Sequence, residues 1–249
     1  MGIGPGSLVS DMEMFETLDK NRLEMFLECI EHILNLWKKR PPYNLKGKHW
    51  KISSKRTFNK NLFIGELGKP YQKPHPEIVV TSLGASNHGL MQAINKGWNV
   101  ISSNFLTEKR LIEHNDIIKK SKRNNINWRV AKFIFISQNK KQIEDYGISK
   151  KGPIYFCLKQ IYNKLARSNR LDILKKNPYD KKEKINLDDL LKELVLYGDV
   201  SEVTDKILEL KSKVKLMETL TYVNVDWANK SLSKKSMQLL AENVMPKVN

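Results

Sequence analysis

Two short stretches have the composition of a loop that lines a ligand site. The first is Gly2-Ile3-Gly4-Pro5-Gly6-Ser7-Leu8. Its glycines let the backbone turn sharply and approach a ligand closely, so Gly4 and Gly6 are candidates to line a binding cavity. It lacks the spacing of a dinucleotide fingerprint and the strand that would precede one, and a plain terminal loop has the same composition. The second is Ser82-Leu83-Gly84-Ala85-Ser86-Asn87-His88-Gly89, between an apolar strand and a helix. Backbone N–H groups at a helix N-terminus, joined by a serine hydroxyl, suit an anion such as phosphate. Ser86 also suits a simple N-cap, and composition alone favours the cap. The two readings are compatible, because a capping serine can turn towards an anion.

Other chemistry is not indicated. None of His32, His49, His75, His88 and His114 has a partner at zinc-like spacing, so no metal site is expected. Cys29 and Cys157 sit in apolar helical surroundings and read as small buried hydrophobes of a reducing compartment. Neither a serine nucleophile elbow nor a Walker loop is present.

The elements that would position these loops alternate. Residues 12–39 carry Leu23, Phe26, Leu27, Ile30, Ile33, Leu34 and Trp37 at helical spacing, which predicts one long helix stopped by Pro41-Pro42. Residues 43–75 read as a long loop with a hairpin around His49-Trp50-Lys51-Ile52. From residue 77 the rhythm is regular. Strands are expected at 77–81, 98–102, 128–136 and 218–225. Helices are expected at 88–96, 107–122, 139–146, 153–168, 187–196, 201–213 and 231–243. Short apolar strands alternating with helices imply a parallel sheet covered on both faces. The chain has the ~250 residues of a complete TIM barrel but only four clear strands, where such a barrel has eight.

The net charge is +17, from 44 Lys and Arg against 27 Asp and Glu. That balance points towards anionic partners. The lysines, however, are spread in small clusters such as Lys38-Lys39, Lys119-Lys120, Lys181-Lys182 and Lys234-Lys235. This is the pattern of solvated faces, so no specific nucleic-acid partner is expected. No apolar run is long enough to span a bilayer and no signal peptide is visible, which predicts a cytoplasmic protein with no membrane partner.

Several stretches resemble one family in order along the chain. The opening GIGPGSLVSDMEMF, with Asn21-Arg22 after it, resembles the segment following the fourth barrel strand of bacterial-luciferase-like flavin-dependent monooxygenases, the limonene-monooxygenase-like group in particular. KPYQKPHPEIVVT at 69–81 resembles the approach to the fifth strand. Tyr197-Gly198-Asp199-Val200-Ser201-Glu202-Val203 is similar to a Gly-Thr-Pro-Glu-Glu-Val turn, with Asp199 and Val200 departing from Thr-Pro. SMQLLAENVMPKVN at 236–249 resembles the C-terminal helix and its Val-Met-Pro ending.

The resemblance implies an α/β TIM (β/α)8 barrel of the luciferase-like type, one domain over residues 1–249, here lacking the N-terminal strands. It implies FMN at the C-terminal ends of the strands. Reduced FMN, delivered by a separate flavin reductase, would use oxygen to oxidise a small organic substrate, with the protein orienting the flavin and excluding water. A deazaflavin stays open as the cofactor. Position by position, Ser86 and the backbone of Asn87 would hold the phosphate, Ser82 would lie at the same strand end, and Gly4 and Gly6 would line the cavity. Arg22 falls where the family has a helix arginine beside the site, and an ion pair with Glu24 or Glu28 is the other reading of it. Pro5 stands where true luciferases have a phosphate-contacting arginine. The strands that would face the flavin ring have no counterpart, so no catalytic acid or base is assigned. The isolated chain is expected to be inactive, needing an N-terminal half or a homo-oligomer. A non-catalytic remnant, or a subunit of a split enzyme, is the alternative.

Overall fold

A computed structural model describes residues 1–6, 8–83, 86–121, 123 and 125–248. Ser7 of the first loop, and Gly84 and Ala85 of the second, lie outside them, as do Lys122, Asn124 and Asn249. Internal contacts divide the chain into two units, Met1–Ile78 and Val79–Asn249.

The first unit holds a two-residue strand β1 (Gly2–Ile3), helix α1 (Val9–Met14) and helix α2 (Arg22–Lys38). The single helix expected at 12–39 is therefore two. Glu16 takes a left-handed conformation at φ 51°, and the Asn21 side chain accepts from the Glu24 N–H at 3.2 Å. That cap starts a new helix where periodicity alone would run on. The expected hairpin is present as β2 (Asn44–Lys46) antiparallel to β3 (Lys51–Ser53), with Leu45 opposite Ile52. Its turn sits on α2. The Glu28 carboxylate accepts backbone N–H bonds from Lys48 at 2.8 Å, His49 at 3.0 Å and Trp50 at 2.8 Å. A Cβ on Gly47 would fall 2.1 Å from Glu28 Oε1, so a side chain there would displace the carboxylate that holds the turn. Partial burial pushes the Glu28 carboxyl up, but the three N–H donors outweigh it and hold the carboxyl below its ordinary range.

The second unit is an α/β structure built on parallel strands. In chain order it contains β4 (Val79–Ser82), α3 (His88–Asn95), β5 (Asn99–Ser102), α4 (Glu108–Lys120) and β6 (Trp128–Ile136). Next come α5 (Lys140–Gln142), which runs on as a wide turn over Ile143–Ile148, then α6 (Pro153–Arg167), α7 (Leu187–Leu194) and β7 (Val195–Gly198). The unit ends with α8 (Val200–Lys213), β8 (Thr219–Val223), α9 (Lys230–Leu239) and α10 (Met245–Val248). Every pairing among these strands is parallel. Val80 lies opposite Val100, Ser102 opposite Val130, Phe135 opposite Tyr197 and Ala131 opposite Thr221. The order is β4-β5-β6-β7, with β8 also on β6, and among the described residues no pairing joins β7 or β8 back to β4 to close a barrel.

β6 is apolar in consecutive positions because both its faces are covered. Phe133 and Phe135 pack with Tyr146, Ile154, Leu158, Leu190 and Leu194. Ile134 and Ile136 pack with Val203, Ile207, Leu240 and Val244. β7 corrects the sequence reading, which ran a helix through 187–196. Helix α7 ends at Leu194, and the next residue, Val195, already pairs with Phe133. Helix passes into strand with no intervening polar residue, so periodicity gave no boundary.

At the end of β7 the Asp199 side chain accepts from the Glu202 N–H at 2.9 Å, and Glu202 accepts from the Asp199 N–H at 2.8 Å. This reciprocal pair is a capping box. Asp199, the departure from Thr-Pro noted above, thus does the work of a threonine cap. Asp199→Ala is expected to cost about 1 kcal/mol, read as a lower urea midpoint. An unchanged midpoint would show that α8 does not depend on this cap.

Candidate functional site

β4 and α3 position the second glycine-containing loop. Ser82 ends β4, is buried, and its carbonyl accepts the Ser103 N–H at 3.1 Å. Ser86 is exposed and Asn87, not Ser86, stands at the N-cap of α3. The Asn87 side chain does not cap the helix. Its Oδ1 instead accepts from Arg110 Nη2 at 3.0 Å. The first turn of α3 carries no acidic residue, and a Cβ on Gly89 would meet nothing within 4 Å. An α-helix leaves its first N–H groups without intrahelical partners and positive in character. Here those groups lie beside an exposed serine and a buried guanidinium. This donor set fits an anion.

Arg110 was missed from the sequence. It is 1% exposed, bonded to Asn87 and ion-paired with Glu113. The signal was present: Arg110, Leu111, His114 and Ile118 are all buried on α4, and 110, 114 and 118 are spaced by four on one helical face. His114 reads from the sequence as a structural or surface histidine, and it is fully buried. Ser102 Oγ lies 2.8 Å from its Nδ1 and accepts from Trp128 Nε1 at 2.8 Å. Its Nε2 is buried without a hydrogen-bond partner among the described residues. Burial, helped by the Arg110 charge, pushes the His114 pKa down to about 3.

Gly4, Gly6 and Arg22 belong to the first unit. They line a cavity of about 360 Å³ with Met12, Phe15 and Phe26. Gly6 has φ 74°, a conformation that suits glycine, and its carbonyl accepts from Arg22 Nη1 at 3.1 Å. The two carboxylates considered for Arg22 are engaged elsewhere, Glu24 with Lys48 at 3.0 Å and Glu28 with the hairpin turn. Gly4, Gly6 and Arg22 are thus gathered in the first unit, and Ser82, Ser86 and Asn87 in the second. No group of His, Cys, Asp and Glu among the described residues is arranged to hold a metal. No helix among them is long and apolar enough to cross a membrane.

No family model matches the chain, and no curated protein does. Solved structures do. Over its whole length the chain matches 71% of the oxygenating constituent of 3,6-diketocamphane monooxygenase from Pseudomonas putida, a type II Baeyer-Villiger monooxygenase in complex with FMN, at TM-score 0.77 and 20% identity. The chain shares its fold. It also matches, over its whole length, 68% of the monooxygenase RslO1 from Streptomyces bottropensis, at TM-score 0.67 and 16% identity. Over 91% of its length it matches 60% of the EDTA monooxygenase of Chelativorans sp. BNC1, at TM-score 0.52 and 14% identity. At these identities the likeness is one of fold: parallel strands and covering helices in the arrangement these monooxygenases use.

Proposed function

We propose that the chain belongs to the luciferase-like flavin-dependent monooxygenases, with residues 1–249 forming one domain of that type, and that it binds FMN by the phosphate. The observation that carries this is the β4–α3 turn: an uncapped helix N-terminus, an exposed Ser86, and Asn87 held by the buried Arg110. The whole-length likeness to an FMN-bound monooxygenase supports it. Ser86 Oγ and the first-turn N–H groups of α3 donate to the phosphate. Arg110 fixes Asn87 by its hydrogen bond, and its own charge is paired with Glu113. Ser82, at the end of β4, completes this set within the second unit; Gly4, Gly6 and Arg22, which line a cavity of the first unit, are proposed as cofactor residues on the family resemblance alone. When bound and reduced, flavin supplies the electrons that activate oxygen for oxidation of a small organic substrate. A separate reductase delivers those electrons, and a deazaflavin is the other cofactor of this shape. The limonene-monooxygenase-like group is the branch its opening and closing motifs favour.

A second reading concerns activity. The chain corresponds to 71% and 68% of the first two neighbours, and the second unit's strands do not close on themselves among the described residues. We propose that turnover needs further strands, from another segment or another chain, to face the flavin ring. The chain alone then holds the phosphate end of the cofactor without catalysis.

FMN fluorescence titration of the full chain tests the site. Ser86→Ala is expected to weaken binding by about 1 kcal/mol, a factor of about five, as for one hydrogen bond to a charged group. Unchanged affinity would remove Ser86 from the site.

A further inference from the structure

Lys132 lies mid-strand in β6, on the face it shares with Val130 and Ile134. It is 2% exposed, inside a strand that is otherwise almost wholly apolar. Among the described residues its ammonium has one acceptor, the Leu106 carbonyl at 3.4 Å. That is a long contact for a group with three donors. Lys132 lines a cavity of about 570 Å³, whose walls include Glu108 of α4, Glu193 of α7, and Lys206 and Glu209 of α8. Val195, Leu196 and Leu210 make its apolar part.

The carboxylates nearest in charge to Lys132 have other partners. Glu108 pairs with Lys213 at 2.9 Å. Glu193 pairs with Lys176 at 3.2 Å and accepts the Glu108 N–H at 3.1 Å. Lys206 donates to the Tyr197 carbonyl at 2.6 Å. Lys132 is therefore a desolvated amine facing a cavity, without an ion-pair partner of its own among the described residues. Burial brings its pKa down to about 8, against the charges of Glu193 and Glu108, which hold it up. At pH 7 that leaves about a tenth of it as free amine, a few hundred times the fraction in an ordinary lysine. Desolvation of this kind makes a lysine nucleophilic.

We propose that Lys132 is a reactive amine that captures a small aldehyde in this cavity as an imine. The Nζ lone pair adds to the carbonyl carbon, and the carbonyl π pair becomes an alkoxide that takes one of the two protons of the now cationic nitrogen. The resulting carbinolamine loses the nitrogen proton and its hydroxyl as one water, and the C=N bond forms. Nothing is oxidised or reduced. Glu193 and Glu108, on the cavity wall, are the groups available to carry the protons, and the apolar part receives the aldehyde's alkyl chain. The inference uses no residue of the phosphate site and stands apart from the flavin reading.

The full chain is treated with butyraldehyde and sodium cyanoborohydride, which reduces the imine to a stable butylamine. Peptide mass mapping then follows each lysine with time and pH. Lys132 is expected to be labelled at least tenfold faster than the exposed lysines, with a pH midpoint near 8. In 8 M urea that preference should vanish. Glu193→Gln should move the midpoint to lower pH, because a charge that stabilises the ammonium is gone. Lys132 labelled no faster than exposed lysines, a preference for Lys206 instead, or the same preference in urea would each overturn the proposal.

Discussion

Acidification from pH 7.5 to pH 4 is expected to remove about 3 kcal/mol of stability through His114 alone. The residue is fully buried on α4, and its pKa falls from an ordinary 6.5 to about 3 because burial, then the Arg110 charge, disfavour the imidazolium. The folded value is depressed, so the unfolded chain takes up the proton first. The stability contribution is fully present above 6.5 and is lost as pH falls towards 3. Within that window the slope approaches 1.4 kcal/mol per pH unit. Geometry supports the direction. Nε2 has no hydrogen-bond partner among the described residues, and Nδ1 faces a serine hydroxyl that already accepts from Trp128. Urea unfolding at a series of pH values gives the measurement. Carboxylates with lowered pKa, such as Glu24, Glu28 and Glu209, add a loss in the same direction at lower pH. His114→Leu separates the two, since its stability should be nearly flat between pH 7 and 5 while the parent chain falls. Parallel profiles for the two proteins would show that His114 takes up its proton at the same pH in the folded and unfolded chains, and that burial does not lower its pKa.

The sequence made the second unit legible and hid parts of the site for definable reasons. β6 was visible because nine consecutive residues are compatible with a strand buried on both faces. The helix after the Ser82–Gly89 loop was visible because Leu90, Ala93 and Ile94 repeat at helical spacing and Gly97, at φ 81°, ends it. β7 was invisible. Leu190, Leu191 and Leu194 set a helical period, and Val195 and Leu196 extend the apolar run without interruption. Only pairing with β6 turns those last residues into a strand, and pairing is a tertiary fact. The first helix is shorter than its periodicity suggests for the opposite reason: a local cap at Asn21 outweighs a period that Met12 would continue.

The same distinction separates the residues of the sites. Ser86 and Asn87 were found because small polar residues between strand and helix have a mechanism attached to them. Composition favours Ser86 as the cap, whereas Asn87 stands at that position with its side chain bonded to Arg110, a tertiary contact from a helix 23 residues on. Arg110 and Lys132 carry charges, and a charge in a basic chain reads as solvated surface. Their burial follows from helix phase in one case and strand alternation in the other. Both patterns could have been scored, had the strong bias towards lysine in this chain not made every cation look alike.

Phe135→Ala is expected to destabilise the chain by about 3–5 kcal/mol, the cost of emptying a large aromatic site in a packed core. Phe135 is fully buried in β6, opposite Tyr197 of β7. Its ring stacks on Tyr146 with centroids 4.5 Å apart and planes at 16°. Tyr146 in turn donates its hydroxyl proton to the Val225 carbonyl, so one ring supports the contact between the sheet, the wide turn after α5 and the segment after β8. Alanine leaves a cavity these neighbours can fill only by moving the turn. Phe135→Leu keeps most of the volume and should cost much less, about 1 kcal/mol. Phe156 provides the contrast on the surface of α6. It is 51% exposed and meets Trp227 only edge-on, so Phe156→Ala should stay within about 1 kcal/mol. Urea midpoints of the three variants against the parent give the ranking. With domains of this kind stable by only about 5–15 kcal/mol, Phe135→Ala is expected to bring the chain close to unfolding at 37 °C. A loss at Phe135 no greater than at Phe156 would show that β6 is not the strand on which the second unit is built.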